Sequence, residues 1–301
     1  MNIGSTTFKN PIFVASGTFG YGTENPELVD ISKLGAIVTK SITLNPREGN
    51  PPPRIVETSS GMINSIGLAN IGVEKYISNM LPVYEEMDTP IIMNIAGSSM
   101  TEYMDIMKKV EAVSSSIVGY EINISCPNVK EGGMEFGVDC AMTEKLTGKL
   151  RKLTDRLLIM KLSPNVTDIA AIATSSENGG ANAVSAINTV VGMSINHRSR
   201  FSDIYTTFGG LSGPAIKPVG LACVHKVYNA VNIPIIGIGG IVNSTDVIEY
   251  FLAGSCSVQV GTANFRNPGI TEIILNELNN YLDEKGIDSI SSLIGSVKTH
   301  D

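Results

Sequence analysis

Along the chain, short and nearly uninterrupted apolar runs alternate with longer stretches in which apolar residues recur at helical spacing. The runs lie near residues 11–16, 35–40, 90–95, 117–125, 157–162, 181–187, 233–238 and 256–261. In Pro90-Ile91-Ile92-Met93-Asn94-Ile95 and Leu157-Leu158-Ile159-Met160-Lys161-Leu162 both alternating faces are mostly apolar, which predicts parallel strands covered on both sides. The stretches between predict helices near 24–33, 70–87, 101–113, 141–155, 167–177, 217–230, 244–253 and 270–284. Thr167 and Ser244 stand where a hydroxyl would cap the first free N–H groups of two of them. Eight strand-then-helix units predict an α/β fold, a (β/α)8 TIM barrel in one domain over residues 1–301, with a doubly wound sheet as the alternative.

Two connections, 41–69 and 189–216, are too long to be simple links, and both follow strands, the end at which such barrels carry their sites. The first holds Asn50-Pro51-Pro52-Pro53-Arg54, a stiff bend without N–H groups at its prolines, and then Asn64-Ser65-Ile66-Gly67-Leu68. The proline run suits a structural corner as well as a site wall.

Composition narrows the ligand. The 301 residues are 43% hydrophobic, enough for one large core, and a net charge of −7 without a dense Lys/Arg cluster speaks against a nucleic-acid surface. The N-terminus shows no basic leader followed by an apolar run, and no run reaches membrane-spanning length. Cys126, Cys140, Cys223 and Cys256 form no Cys-x-x-Cys pair, and His197, His225 and His300 do not cluster. The expectation is a cytoplasmic protein with a small ligand and no metal, in which Cys140, Cys223 and Cys256 are packing residues.

Chemistry concentrates where strands end. Lys40, Asn94, Asn123, Lys161 and Asn188 each close an apolar run, and amides converging with two ammonium groups suit a polar, anionic heterocycle. After Glu121-Ile122-Asn123-Ile124-Ser125, the Cys126-Pro127-Asn128 break would set a thiol at the barrel mouth, though an inert buried cysteine is the other reading. Gly239-Gly240 and Gly261-Thr262 follow the last two strands, where backbone N–H groups commonly bind phosphate; glycine also serves plain turns.

These residues resemble the dihydroorotate dehydrogenase family, and within its class 1 the B type. The resemblance is carried by Asn10-Pro11 through Ser16-Gly17, Thr39-Lys40-Ser41, Asn64 through Leu68, Asn123 through Asn128, Lys161-Leu162-Ser163-Pro164-Asn165-Val166-Thr167-Asp168, Ile187-Asn188-Thr189, Gly209 through Pro218, Gly239-Gly240 and Gly261-Thr262. It implies FMN held by Ser16, Lys40, Ser41, Asn94, Asn123, Lys161, Ile187, Gly213, Gly239, Gly240, Gly261 and Thr262. It further implies dihydroorotate held by Lys40, Asn64, Ser65, Ile66, Gly67, Leu68, Asn123, Asn188 and Thr189, with Cys126 as catalytic base.

The implied reaction is oxidation of (S)-dihydroorotate to orotate in pyrimidine synthesis, with a base taking the C5 proton while hydride passes from C6 to flavin N5. A thiol of pKa about 8.5 needs only a modest shift to serve. Lys161 would stabilise negative charge on reduced FMN. Type B members pass electrons to NAD+ through a second subunit carrying FAD and [2Fe-2S], around a homodimer core in a heterotetramer. The sequence has neither an iron–sulfur cysteine pattern nor a Gly-x-Gly-x-x-Gly fingerprint, so those centres would sit on another polypeptide. It also shows no N-terminal amphipathic extension of the membrane-associated class 2 kind. Residues 191–207 depart most from the family pattern. Competing readings are the fumarate-using A type, a flavin enzyme for another dihydropyrimidine, a flavin-free lyase using Lys161 as a Schiff base, and a noncatalytic binding barrel.

Overall fold

A computed structural model describes residues 1–24, 28–125 and 136–300. In chain order its strands begin with β1 (Asn2–Ile3), β2 (Thr6–Thr7), β3 (Ile12–Val14) and β4 (Ala36–Val38). Next come β5 (Ile55–Thr58), β6 (Gly61–Asn64), β7 (Ile91–Ile95), β8 (Gly119–Asn123), β9 (Leu157–Leu162) and β10 (Ala183–Ala186). The last are β11 (Val190–Gly192), β12 (Gly209–Ser212), β13 (Ile235–Ile238) and β14 (Ser257–Val260).

Eight of these close a parallel barrel in the order β10-β13-β14-β3-β4-β7-β8-β9, and each lies inside one of the eight predicted apolar runs. Their continuous hydrophobicity has a direct cause, because outward side chains pack under the helices while inward ones fill the barrel. The outer layer is the large cluster around Tyr103, Tyr120, Met160, Val184, Tyr250 and Phe251. The inner one contains Phe13, Ala36, Val38, Ile92, Ile159, Ala183 and Ile236. Ile3 and Phe8 of the β1–β2 hairpin join that inner cluster, with the Phe8 and Phe13 rings 4.8 Å apart. The hairpin thereby closes one end of the barrel, and access is left to the end where the strands finish.

The structure changes several sequence expectations. Residues 24–33 do not form a helix among those described: only the 3-10 turn Ile31–Lys33 forms, capped by Asp30, while the Glu24 carboxylate binds the N–H groups of Tyr21 and Thr23 in a turn. The expected helix near 70–87 is Gly72–Lys75 and Leu81–Tyr84 joined by the π turn Tyr76–Met80. Neither Thr167 nor Ser244 is a cap. Asp168 caps Ile169–Asn178, and Asn243 caps Ser244–Ala253 in a reciprocal box with Asp246. The extended backbone falls on Asp168 and Asn243, whose side-chain oxygens reach the free N–H groups from there. Cys140 is exposed at the start of Cys140–Arg151 and so is not a packing residue.

The two long connections also prove to be one structure. They supply β5–β6 and β11–β12, which join in a four-stranded antiparallel sheet of order β11-β12-β6-β5. Residues more than a hundred positions apart pair there, Asn64 with Gly210 and Ile63 with Leu211. Because both excursions leave from strand ends, this sheet stands beside the open end of the barrel.

Candidate active site

The strand-end residues meet in two hydrogen-bonded groups. In the first, Ser41 donates from Oγ to Asn94 Oδ1 at 2.5 Å, and Asn94 Nδ2 donates to Glu121 Oε1 at 2.7 Å. Lys161 Nζ lies 3.3 Å from the same oxygen. The Asn94 amide is thus occupied on both sides and fully buried, so the residue presented upward is Ser41. In the second, Asn188 donates from Nδ2 to Asn123 Oδ1 at 3.1 Å and accepts from the Thr189 N–H at 2.7 Å. Asn165, whose role the sequence did not single out, secures this side by donating to Thr189 O at 2.9 Å and accepting from Val191 N at 2.9 Å.

Lys40 follows β4, half-buried, with its backbone N–H on Gly20 O at 2.8 Å. Burial lowers the pKa of its ammonium, opposed by Glu24 and reinforced by Arg54. Among the described residues it forms no ion pair. A half-buried cation of this kind suits an anionic ligand.

The segment Asn64 through Leu68 leads out of β6. Asn64 Nδ2 donates to Gly210 O at 3.3 Å, and Ser65 Oγ lies 2.6 Å from Thr206 Oγ1. Ile66 accepts the Asn50 N–H at 3.0 Å, while Gly67 and Leu68 take φ of 73° and 56°. A left-handed leucine is uncommon and marks a backbone held in place by its surroundings. Buried Asn70 does part of that holding, since its side chain bonds Thr43, Leu68 and Gly72. The proline run acts as a corner: Arg54 bonds Asn50 O and Glu48 O, and Tyr205 N donates to Pro53 O.

The glycine side of the mouth joins the ends of the last strands to the sheet. Ile187, buried, donates from its N–H to Ile238 O at 3.0 Å, and Thr262 Oγ1 donates to Ser212 Oγ at 2.8 Å. Gly240, at φ 72°, is required by the protein itself, because a Cβ would come within 2.8 Å of the Lys217 backbone N. Gly213 and Gly239 also have positive φ. Gly261 differs: a Cβ there would meet only Ala15 and Thr18 at ordinary distances of 3.5 and 3.7 Å. Neither packing nor backbone angle calls for glycine at 261, which fits a cradle kept open for a ligand's phosphate. Ser16 is half-buried at the end of β3, beside the same edge.

Of the sequence-predicted site residues, Ser41, Asn94 and Lys161 are joined through Glu121, and Asn123, Asn188 and Thr189 form a second group, both at the end where the barrel strands finish. Cys126 lies outside the described residues. Glu121, by contrast, was missed as a site component. Its signal was present as one carboxylate inside an otherwise apolar strand run, two residues before Asn123 and on the same face.

Known proteins share this fold and sequence. A solved structure of DHODH from Eimeria tenella in complex with ferulenol superposes with a TM-score of 0.83 over 98% of this chain and 87% of that one, at 23% identity, which speaks for the fold. Two relatives are each named "Dihydroorotate dehydrogenase B (NAD(+)), catalytic subunit". The one from Geotalea daltonii is 46% identical over 99% of this chain and 97% of its own length. That from Desulforamulus reducens is 49% identical over 98% and 97%. With the sequence model of the family described as Dihydroorotate dehydrogenase matching residues 1–282, this chain belongs to the dihydroorotate dehydrogenase family.

Proposed function

We infer that this chain is the catalytic subunit of an NAD+-linked dihydroorotate dehydrogenase, oxidising (S)-dihydroorotate to orotate in de novo pyrimidine synthesis. The observation that carries the reading is the convergence of Lys40, Asn123, Asn188 and Lys161 at the open end of the barrel, in a chain whose relatives bear that name end to end. Residues 1–301 form a single FMN-binding domain in this reading.

FMN, when bound, supplies the hydride acceptor for C6 of the substrate. The remaining work belongs to the chain. Lys40 meets the substrate carboxylate with an ammonium that burial has already partly stripped of water. Asn123 keeps its Oδ1 on Asn188 and Ser125, which directs its Nδ2 donors toward a ring carbonyl. Asn64 and Thr189 add polar groups from the two excursions. Cys126 takes the C5 proton, and Lys161 is the residue that would offset negative charge on FMN. Ser16, Ser41, Gly213, Gly239, Gly240, Gly261 and Thr262 hold the rest of FMN.

Electrons leave to a separate subunit carrying FAD and [2Fe-2S], around a homodimer core in a heterotetramer. The exposed side chains of Val191, Ile195, Phe201, Tyr205 and Phe208, beside the site, give such interfaces apolar surface. A cytoplasmic location accords with this assembly, and no described helix is long and apolar enough to cross a membrane. The deciding experiment is anaerobic titration of the yellow protein. Dihydroorotate, and not dihydrouracil, is expected to bleach the flavin band; bleaching by both or by neither would refute the assignment.

A further inference from the structure

Below the polar layer at the strand ends, Glu121 is buried at 0% exposure inside the barrel. Side chains from four other strands converge on it. Oε1 accepts from Asn94 Nδ2 at 2.7 Å and from Lys161 Nζ at 3.3 Å, while Oε2 accepts from Ser185 Oγ at 2.9 Å and Gln259 Nε2 at 2.7 Å. All four partners are donors, so the group is matched as an acceptor-only carboxylate. Gln259 turns its amide to serve it even though Gln259 Oε1 is left buried without a partner.

Packing does not call for such a residue. The layer of the barrel interior nearer the hairpin is filled by apolar side chains such as Phe13, Val38, Ile92 and Ile159, and a fully apolar set in place of the buried ion pair would be no more costly. The explanation lies in what Glu121 touches. Lys161 is nearly as buried, and Glu121 is its ion-pair partner among the described residues. Asn94, register partner of Glu121, has its amide orientation dictated by the carboxylate, which leaves Asn94 Oδ1 to accept from Ser41.

We propose that Glu121 is a positioning residue that aims Lys161 and offsets its charge, sets Ser41 through Asn94, and so fixes the electrostatic field at the flavin site. The inference rests on the reading of Lys161 as an FMN residue. A buried cation with a counter-ion exerts a moderated field. The pair, rather than the lysine alone, then sets how readily the cofactor accepts electrons.

The test compares Glu121→Gln, Lys161→Gln and the double variant, each purified with its flavin. Glu121→Gln is expected to move the FMN midpoint potential to a more positive value, by at least a roughly tenfold change in the reduced-to-oxidised ratio, about 30 mV for two electrons. Lys161→Gln is expected to move it the other way. A carboxylate serving only to pack the barrel would leave the potential where it was. Stability supplies a second readout that needs no bound flavin: Lys161→Gln strands the carboxylate, so adding Glu121→Gln should raise Tm above that of Lys161→Gln alone. An unshifted potential in Glu121→Gln, or losses of Tm that simply add in the double variant, would overturn the inference. An unshifted potential in Lys161→Gln would instead remove the lysine from the flavin site, and the inference with it.

Discussion

Asn188 Nδ2 donates to Asn123 Oδ1 at 3.1 Å, joining the end of β8 to the residues just past β10 over the top of β9. Each amide oxygen is thereby used within the protein, Asn123 Oδ1 also accepting from Ser125 N and Asn188 Oδ1 from Thr189 N. The amide of Asn123 cannot turn over without breaking two hydrogen bonds, so in the proposed reading its donors are kept for the ligand. Asn123→Ala should weaken orotate binding roughly tenfold or more, and Asn123→Asp further still, since it sets an acceptor and a charge against an anion. Asn188→Ala, which removes the lock, should cost less than Asn123→Ala. Titration calorimetry orders the three, and an Asn123→Ala protein with unchanged affinity would contradict the assignment.

If Lys40 binds the substrate carboxylate as proposed, orotate binding should depend on pH. Burial lowers its pKa from the ordinary 10.5, so the ammonium loses its proton earlier on the alkaline side than a free lysine does. Orotate affinity should therefore be full at neutral pH and fall as pH rises, beginning below 10.5. Lys40→Arg retains its charge throughout and should remove that part of the decline. Lys40→Ala should lose roughly tenfold or more at pH 7. A dissociation constant with the same alkaline profile in Lys40→Arg and the parent would exclude Lys40 as the titrating group.

Gly261 separates cofactor binding from folding better than its neighbours do. Gly240→Val would strain a positive φ and crowd Lys217, so colourless protein could reflect misfolding alone. A Cβ at Gly261 meets no such conflict, so Gly261→Val should keep the parent's circular dichroism while losing most of its flavin absorbance. Full FMN occupancy in this variant would show that no phosphate is cradled there.

Cys126→Ser should stay yellow and bind orotate normally while turnover falls roughly a hundredfold or more near pH 7, as removal of a general base requires. Cysteine labelling offers a parallel check. Cys140 is exposed, whereas burial raises the Cys256 thiol to about 11 and also raises that of Cys223. Alkylation at neutral pH should reach Cys140 with or without ligand, and orotate should protect Cys126 selectively. Near-parental turnover in Cys126→Ser would end its role as base.

What the sequence by itself determined is the barrel and the polar chemistry at its strand ends. Strands covered on both faces must be apolar almost throughout, so all eight stood out, and Lys40, Asn94, Asn123, Lys161 and Asn188 were conspicuous as the polar residues closing them. Contacts between distant segments were not legible. The pairing of Asn64 with Gly210 spans two excursions that read separately as loops, and a register set by partners far along the chain leaves no local periodicity to detect. Helix caps moved by one residue because cap geometry depends on which backbone is extended, not on residue type alone. Glu121 shows the same division most clearly. Its sequence reveals only a carboxylate in an apolar strand, and its partners Asn94, Lys161, Ser185 and Gln259 come together when four other strands curve around it. Burial of a charge is decided by three-dimensional closure, and so is the identity of the groups that make that burial tolerable.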